Sequence, residues 1–252
     1  MTGHQFTEND YLYIIRTLLP QTEDSGKMMR ALREDSDILN GMIEDPRLLK
    51  RILSSEEEIV KISPQMFFAV LIVAVRKDLE DLPFTLERSS HDAVAVFDVE
   101  RVKEFLDIPM IRSYLIDMLA SFVKINSYTV PVRVRKGIWY RFRFNDFNIQ
   151  NLMDYADSLE ENRKFPALKR IADLCLFIIG FYSRSLPNTI YTRRRQLSKD
   201  EVIALGKTYY ETASKHETAN RLRLDDVMRD IGEQFELAVK PLSLIADNYF
   251  NI

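Results

Sequence analysis

Cysteine and glycine are scarce in this chain of 252 residues, which holds one cysteine and seven glycines. A lone thiol, Cys175, cannot form an intrachain disulfide, and the sequence offers no cysteine cluster for zinc. Phosphate-binding loops and all-β folds both use glycine in tight turns, so the low glycine count disfavours both. The composition therefore excludes a disulfide-stapled scaffold and disfavours a nucleotide-binding loop.

Long hydrophobic runs are also missing. The apolar runs MFFAVLIVAV at 66–75 and LCLFIIGFY at 174–182 span only ten and nine residues, whereas a membrane-spanning helix needs roughly 20. The first apolar stretch follows no basic segment and contains Asp10 and Arg16, which is not typical of a signal peptide. We therefore predict a cytoplasmic protein that does not engage a membrane.

Sequence motifs of catalysis are absent as well. The chain contains no GxGxxG, P-loop, GxSxG or HExxH pattern, and its three histidines are widely separated. We predict no catalytic residue, no metal ligand and no cofactor. An enzyme with a site that is invisible in the sequence stays open as an alternative, and it would require a sizeable pocket with converging acids or Asp173.

Helical periodicity is the main signal that the sequence does contain. With 46% hydrophobic and 29% charged residues, the composition is that of a globular protein. Two apolar segments, 64–79 and 166–183, begin at or just before a proline, and Ser63 is a suitable cap for the first. We predict a mainly α fold, a multi-helix globular bundle around these two central apolar helices, with one basic β-hairpin at about 129–144.

The predicted organisation has three segments that together form one compact unit. Residues 1–60 are short helices packed on the core, 61–186 hold the core helices and the hairpin, and 187–252 are C-terminal helices. Residues 83–96 are interpreted as an irregular, exposed loop and residues 187–197 as a basic connector. Apolar side chains on the C-terminal helices are a candidate homodimer surface.

The hairpin is predicted from strict alternation of side-chain types on both sides of Lys136-Gly137. Its inward face is expected to be apolar, with Val130, Val132, Val134, Ile138, Tyr140, Phe142 and Phe144. Its outward face is expected to carry Arg133, Arg135, Trp139, Arg141 and Arg143. Because an isolated hairpin is only marginally stable, it must pack on the helices.

Charge is distributed unevenly along the chain, although the net charge is only −3. Residues 129–144 contain five Lys or Arg and no acid, and residues 183–199 contain another five and no acid. Without these ten, 25 basic residues stand against 38 acidic ones, a balance of −13. Such asymmetry indicates two basic patches on an acidic body, which is typical of a partner-binding surface.

Nine residues of these patches are the candidate site for an anionic partner: Arg133, Arg135, Lys136, Trp139, Arg141, Arg143, Arg193, Arg194 and Arg195. The first hypothesis is a non-enzymatic interaction or regulatory protein whose hairpin contacts an acidic protein surface. A purely structural alternative is that the arginines pair with the chain's own acids, such as those at 35–44 or 160–161. Sequence alone leaves both open.

Nucleic acid is the other candidate partner. Two predicted helices, 98–107 and 109–125, followed by a basic ribbon are typical of a winged-helix arrangement, in which the ribbon contacts phosphates and a helix enters the major groove. Against this, the second helix offers a poor set of polar side chains for reading bases, and the whole chain is acidic.

Asp173 is the most unusual single residue, because it interrupts an apolar helical stretch. A carboxylate is costly to bury unless it is paired. Asp173 is a candidate buried polar residue that pairs with Lys169 or Arg170 or bonds a neighbouring helix, unless its side chain faces solvent. A functional site with a raised carboxyl pKa is the alternative.

Three stretches resemble an uncharacterised family of bacterial proteins: VRVRKGIWYRFRF at 132–144, ADLCLFIIGFYSRSLP at 172–187 and SPQMFFAVLIVAVRK at 63–77. The resemblance covers about the middle half of the chain. It implies a soluble bacterial protein and carries over no activity, cofactor or site residue.

Overall fold

A computed structural model describes residues 6–88, 93–123, 127–135, 138–182, 189–191 and 196–250. Within these residues it contains fourteen α-helices and three two-stranded sheets. The prediction of a mainly α, multi-helix fold with a β-hairpin is confirmed.

The chain divides into two compact units. The first comprises Met1–Thr85 and Phe97–Val123, and the second comprises Leu86–Val96 and Lys124–Ile252. The three-segment organisation given above stays a prediction. Each unit contains one of the two apolar helices expected at the centre of the fold.

Apart from Thr85 at the start of a strand, the regular elements of the first unit are helices. Its elements are α1 (Glu8–Leu18), α2 (Ser25–Glu34), α3 (Ser36–Ile43), α4 (Pro46–Ile52), α5 (Glu56–Ile59), α6 (Pro64–Asp78), α7 (Val99–Asp107) and α8 (Pro109–Ser121). The helix starts follow local sequence rules. Thr7 and Asp10 form a capping box at α1, and the Ser63 hydroxyl accepts from the Met66 amide at α6.

The helix α6 forms the centre of the first unit and packs against α3, α4 and α8. Its side chains from Met66 to Ile72 are all buried, as expected for a helix that is apolar nearly all round. Asp10, itself fully buried, accepts a hydrogen bond from the Ser63 amide at 2.7 Å. One carboxylate therefore joins the starts of α1 and α6.

The second unit combines helices with short sheets. Its helices are α9 (Ile149–Asp157), α10 (Phe165–Phe181), α11 (Lys199–Ser214), α12 (Glu217–Arg221), α13 (Asp225–Glu233) and α14 (Phe235–Ile245). A 3₁₀ turn covers Glu161–Arg163 and a π-helical turn covers Ala246–Phe250. The helix α10 is the centre, packed against α9, α11 and α14.

Three pairs of strands complete the described chain: β1 (Thr85–Arg88) with β2 (Ala93–Val96), β3 (Ser127–Arg135) with β4 (Ile138–Asn145), and β5 (Thr189–Tyr191) with β6 (Gln196–Ser198). The pair β3–β4 is the predicted hairpin. The other two pairs lie where an irregular loop and a basic connector were expected. Strands of three or four residues are too short for an alternating pattern to stand out in the sequence.

Candidate functional site

The ribbon, which we define as β3 and β4, is antiparallel, and its register sorts its residues onto two faces. Arg133 lies opposite Trp139, Pro131 opposite Arg141, and Thr129 opposite Arg143. Directly opposed residues share a face of a two-stranded sheet, and so do alternate residues along a strand. By register, one face of the ribbon, the basic face, therefore carries Arg133, Trp139, Arg141 and Arg143.

A register shift between Arg133 and Arg135 changes the predicted arrangement near the turn. Arg135 pairs with Ile138, which is offset by one residue from Trp139 along β4. Such an irregularity inserts an extra residue into one strand and disturbs the simple alternation. The register thus separates Arg135 from the basic face. Lys136 and the second basic cluster, Arg193, Arg194 and Arg195, lie outside the described residues.

The base of the ribbon is fastened to the second unit by the residues that follow β4. Asp146 is buried, and its Oδ2 accepts from Nη2 of Arg170 on α10 at 3.1 Å. The rings of Phe147 and Phe177 are in edge-to-face contact, with centroids 5.9 Å apart. The strand β4 also packs against α9. The ribbon is therefore connected to the helices of the second unit at the end where β4 finishes.

Asp173 lies inside the second unit, where it joins α10 to α11. Its side chain is buried, with 2% of the residue exposed. Lys169, one turn earlier, donates to Oδ2 at 2.6 Å, and the buried Tyr210 hydroxyl donates to Oδ1 at 2.9 Å. Through these two partners the carboxylate links α10 to α11.

Cys175 is buried close to Asp173. Burial raises the pKa of the Cys175 thiol well above its usual range, and the negative charge of Asp173 raises it further. The thiol is therefore protonated at neutral pH. This environment is that of a small core side chain rather than of a reactive nucleophile.

The helix that the winged-helix alternative would place in a DNA groove is α8. Seven of its residues, from Ile111 to Ala120, are buried within the first unit. Its exposed positions include Pro109, Met110 and the acidic Asp117. A recognition helix must present an exposed basic or polar face, so the burial of α8 does not favour this alternative.

The apolar residues of the C-terminal helices are used inside the second unit. Val227, Met228 and Ile231 on α13 and Phe235 and Leu242 on α14 are all buried within the chain. A homodimer through these helices stays a prediction that this burial does not support.

A cleft in the second unit was not anticipated from the sequence. It has a volume of about 450 Å³, and its apolar lining comes from five elements. These apolar side chains are Leu86, Val94, Ile179, Ile203 and Val239. Its charged lining consists of Glu87, Lys199, Asp200, Glu236 and Lys240. Volumes of this order are typical of small-molecule sites.

Lys240 is the most buried charged side chain of this cleft. Only 5% of its side chain is exposed, and Nζ lies 3.1 Å from Oε1 of Glu87 on β1, whose own side chain is 56% exposed. The sequence signal was a lysine inside the apolar run FELAVKPLSLI of α14. Its partner is more than 150 positions away in the chain, so the cleft could not be assembled from the sequence.

Neither a metal centre nor a membrane span is found in the part of the chain that the structure describes. In the described ranges no three His, Cys, Asp or Glu side chains converge as a metal-binding group would. None of the helices there combines the length and apolarity needed to cross a bilayer.

Comparison with known proteins adds no functional assignment. No family model matches the chain, and neither a curated protein nor a solved structure matches it significantly. Within the described residues, the ribbon and the cleft are the two features that bear on function.

Proposed function

We propose that this protein is a non-enzymatic interaction or regulatory protein, and that the basic face of the ribbon binds an acidic surface of a partner protein. The observation that carries the proposal is the β3–β4 register. It brings Arg133, Arg141 and Arg143 to one face together with Trp139. Arginine and tryptophan are the residue types most enriched at the energetic centres of protein interfaces.

The charge distribution supports a partner that is acidic. Outside the two basic segments the chain is strongly negative, so an acidic partner is attracted to these segments and repelled by the rest of the surface. This arrangement orients the encounter and suppresses other modes of association. Two of the acids named as internal partners of the arginines have local roles, since Asp35 caps α3 and Glu161 pairs with Lys164.

A protein partner is favoured over nucleic acid for two reasons. The helix α8 is buried rather than available for a groove, as described above. A long polyanion would also extend past the basic face and meet the acidic remainder of the chain, which opposes its binding. An acidic protein patch can match the size of the basic face alone.

The chain provides its own probe for this proposal, because Trp139 is its one tryptophan. We expect a polyglutamate peptide to change the Trp139 fluorescence saturably, with an affinity that falls as salt rises. The triple variant R133Q/R141Q/R143Q is expected to weaken binding about tenfold or more, since three solvent-exposed ion pairs of about 0.5 kcal/mol each are lost.

The matched control is R30Q/R101Q/R221Q, which removes the same formal charge from three exposed arginines elsewhere. It should bind the peptide with less than about a threefold loss. Equal losses in the two variants, or no binding by the unmodified chain, would refute the proposal. Duplex DNA and single-stranded RNA of equal charge are titrated in parallel, and tighter binding of either would replace the protein partner by nucleic acid.

A further inference from the structure

The cleft of the second unit carries an inference that does not depend on the ribbon. Its apolar side chains come from β1, β2, α10, α11 and α14, so five elements converge on one space. Ser243 also lines it, and the serine hydroxyl donates to the Gly180 carbonyl at 3.0 Å. That hydroxyl is thereby oriented with its oxygen available as an acceptor.

The charges around the cleft are balanced in sign. Three carboxylates, Glu87, Asp200 and Glu236, face two ammonium groups, Lys199 and Lys240. A third ammonium group comes from Lys207, whose Nζ lies 2.6 Å from Oε1 of Glu236. A simple anion or a simple cation would meet both signs in this space, and the repulsive contacts would offset the attractive ones.

Lys240 and Glu87 place one positive and one negative charge side by side in the cleft. An ammonium group with so little exposure is retained at a cost unless it is paired, and Glu87 supplies the pairing from β1. The pair presents a positive and a negative group next to each other, beside the apolar side chains of Ile179 and Val239. The complementary ligand carries the same two charges in close proximity and one apolar group.

We propose that the cleft is a binding site for a small zwitterion with an apolar side chain, the chemistry of a hydrophobic α-amino acid. The ligand carboxylate meets the ammonium groups of Lys240 and Lys199, and its ammonium group meets the carboxylates of Glu87 and Asp200. Its apolar side chain replaces water against the isoleucine and valine side chains. Net neutrality of the ligand matches the balanced charge of the site.

Calorimetric titration with L-phenylalanine tests the proposal on the intact chain. We expect saturable binding with a Kd on the order of 0.1–1 mM, as is typical of ligands of this size. Phenethylamine lacks the carboxylate and 3-phenylpropanoate lacks the ammonium group. Each should bind about tenfold more weakly or not at all, because each can make only one of the two ionic contacts proposed for the zwitterion. An analogue that binds as tightly as L-phenylalanine would overturn the zwitterion assignment.

Two variants locate the binding. Lys240→Met keeps an unbranched apolar side chain and removes the charge, and Ile203→Phe fills the cleft without changing any charge. Both should reduce affinity about tenfold or more, whereas the control Lys50→Met, at an exposed position of the first unit, should not. If Lys240→Met does not fold, Ile203→Phe and the two analogues still decide. No saturable binding by the unmodified chain, or unchanged binding by Ile203→Phe, would refute the site.

Discussion

Buried and half-buried carboxylates join helices in this protein. Asp10 connects the start of α1 to the start of α6, and Asp173 connects α10 to α11. In both cases the charge is met by hydrogen-bond donors, so the carboxylate contributes to specificity instead of remaining an unpaired charge. The burial of Asp173 is accompanied by hydrogen bonds from Lys169 and Tyr210, which meet the two carboxylate oxygens.

Glu58 is a third such carboxylate, and it joins α1, α4 and α5. Its side chain is 15% exposed. It accepts from the Tyr13 hydroxyl at 2.7 Å and from Nε of Arg51 at 3.0 Å, and it pairs with Lys61. The hydrogen bond from Lys61, followed by that from Tyr13, lowers the pKa of Glu58 to about 2.

This depressed pKa predicts how Glu58 affects stability. Its folded pKa lies below its unfolded value, so its contribution is fully present above about pH 5 and is lost as the pH falls toward about 2. We expect Glu58→Gln to lower the free energy of unfolding at pH 7. The difference from the unmodified chain should shrink between pH 5 and pH 2, as measured by urea unfolding at a series of pH values.

Glu57→Gln is the matched control, because Glu57 lies in the same turn and is exposed. Its effect on the free energy of unfolding should be small at every pH. A Glu58→Gln deficit that stays constant from pH 7 to pH 2 would contradict the linkage argument and leave only a packing effect.

At the scale of elements, close packing of helices in the second unit depends on two glycines. A Cβ added at Gly206 of α11 would lie 2.6 Å from the Phe235 ring, and one at Gly180 of α10 would lie 2.5 Å from Cβ of Leu242. Non-bonded carbon atoms essentially never come this close in proteins, so the helices or the side chains would have to move apart. Because it has no side chain, Gly206 lets α11 approach Phe235, the first residue of α14. Gly180 likewise lets α10 approach Leu242 of α14.

We therefore expect Gly206→Ala to destabilise the second unit by about 1–3 kcal/mol, the range found for overpacked cores. The control is Gly41→Ala on α3, where an added Cβ meets nothing within 4 Å. That substitution should be neutral or stabilising by up to about 1 kcal/mol, because alanine favours helix. Urea unfolding of both variants provides the test, and a stabilising Gly206→Ala would show that the close contact relaxes freely.

Pro241 lies in the interior of α14. A proline commonly kinks or breaks a helix, and α14 continues through Pro241 without a break. The missing amide removes one hydrogen bond, while the flanking Ala238, Leu242 and Ile245 are buried in the core. Burial of the helix face outweighs the loss of that bond.

On the scale of the whole molecule, the chain builds two apolar cores. The helix α6 organises one and α10 the other. Units that each have a core of their own are expected to unfold cooperatively as units. The two compact units are thus two helical bodies, each built around one central helix.

This division predicts two unfolding transitions. Trp139 belongs to the second unit, so its fluorescence reports on that unit, whereas far-UV circular dichroism reports on both. Gly206→Ala should shift the fluorescence transition to lower urea, and Glu58→Gln should leave it unchanged while shifting part of the dichroism signal. A single transition that both probes and both variants move together would contradict independent unfolding.

Local features of this protein were determined by the sequence alone. The capping boxes at Thr7 and Ser198, the proline start of α6, and the alternation along β3 and β4 depend on residues a few positions apart. Interactions of this range are encoded in spacing, because helix and strand geometry fix which neighbours meet. The same reasoning covers the Lys169–Asp173 pair, whose partners are one helical turn apart.

Tertiary structure decided what meets across long separations. No local pattern relates Asp173 to Tyr210, or Glu87 to Lys240 in the cleft. The division of the chain into two units also depends on contacts between distant residues. These pairings follow from which apolar faces pack together. The hydrophobic effect that drives this packing does not depend on how far apart two residues lie in the sequence. Spacing in sequence therefore predicted the helices and the ribbon, while packing alone created the cleft.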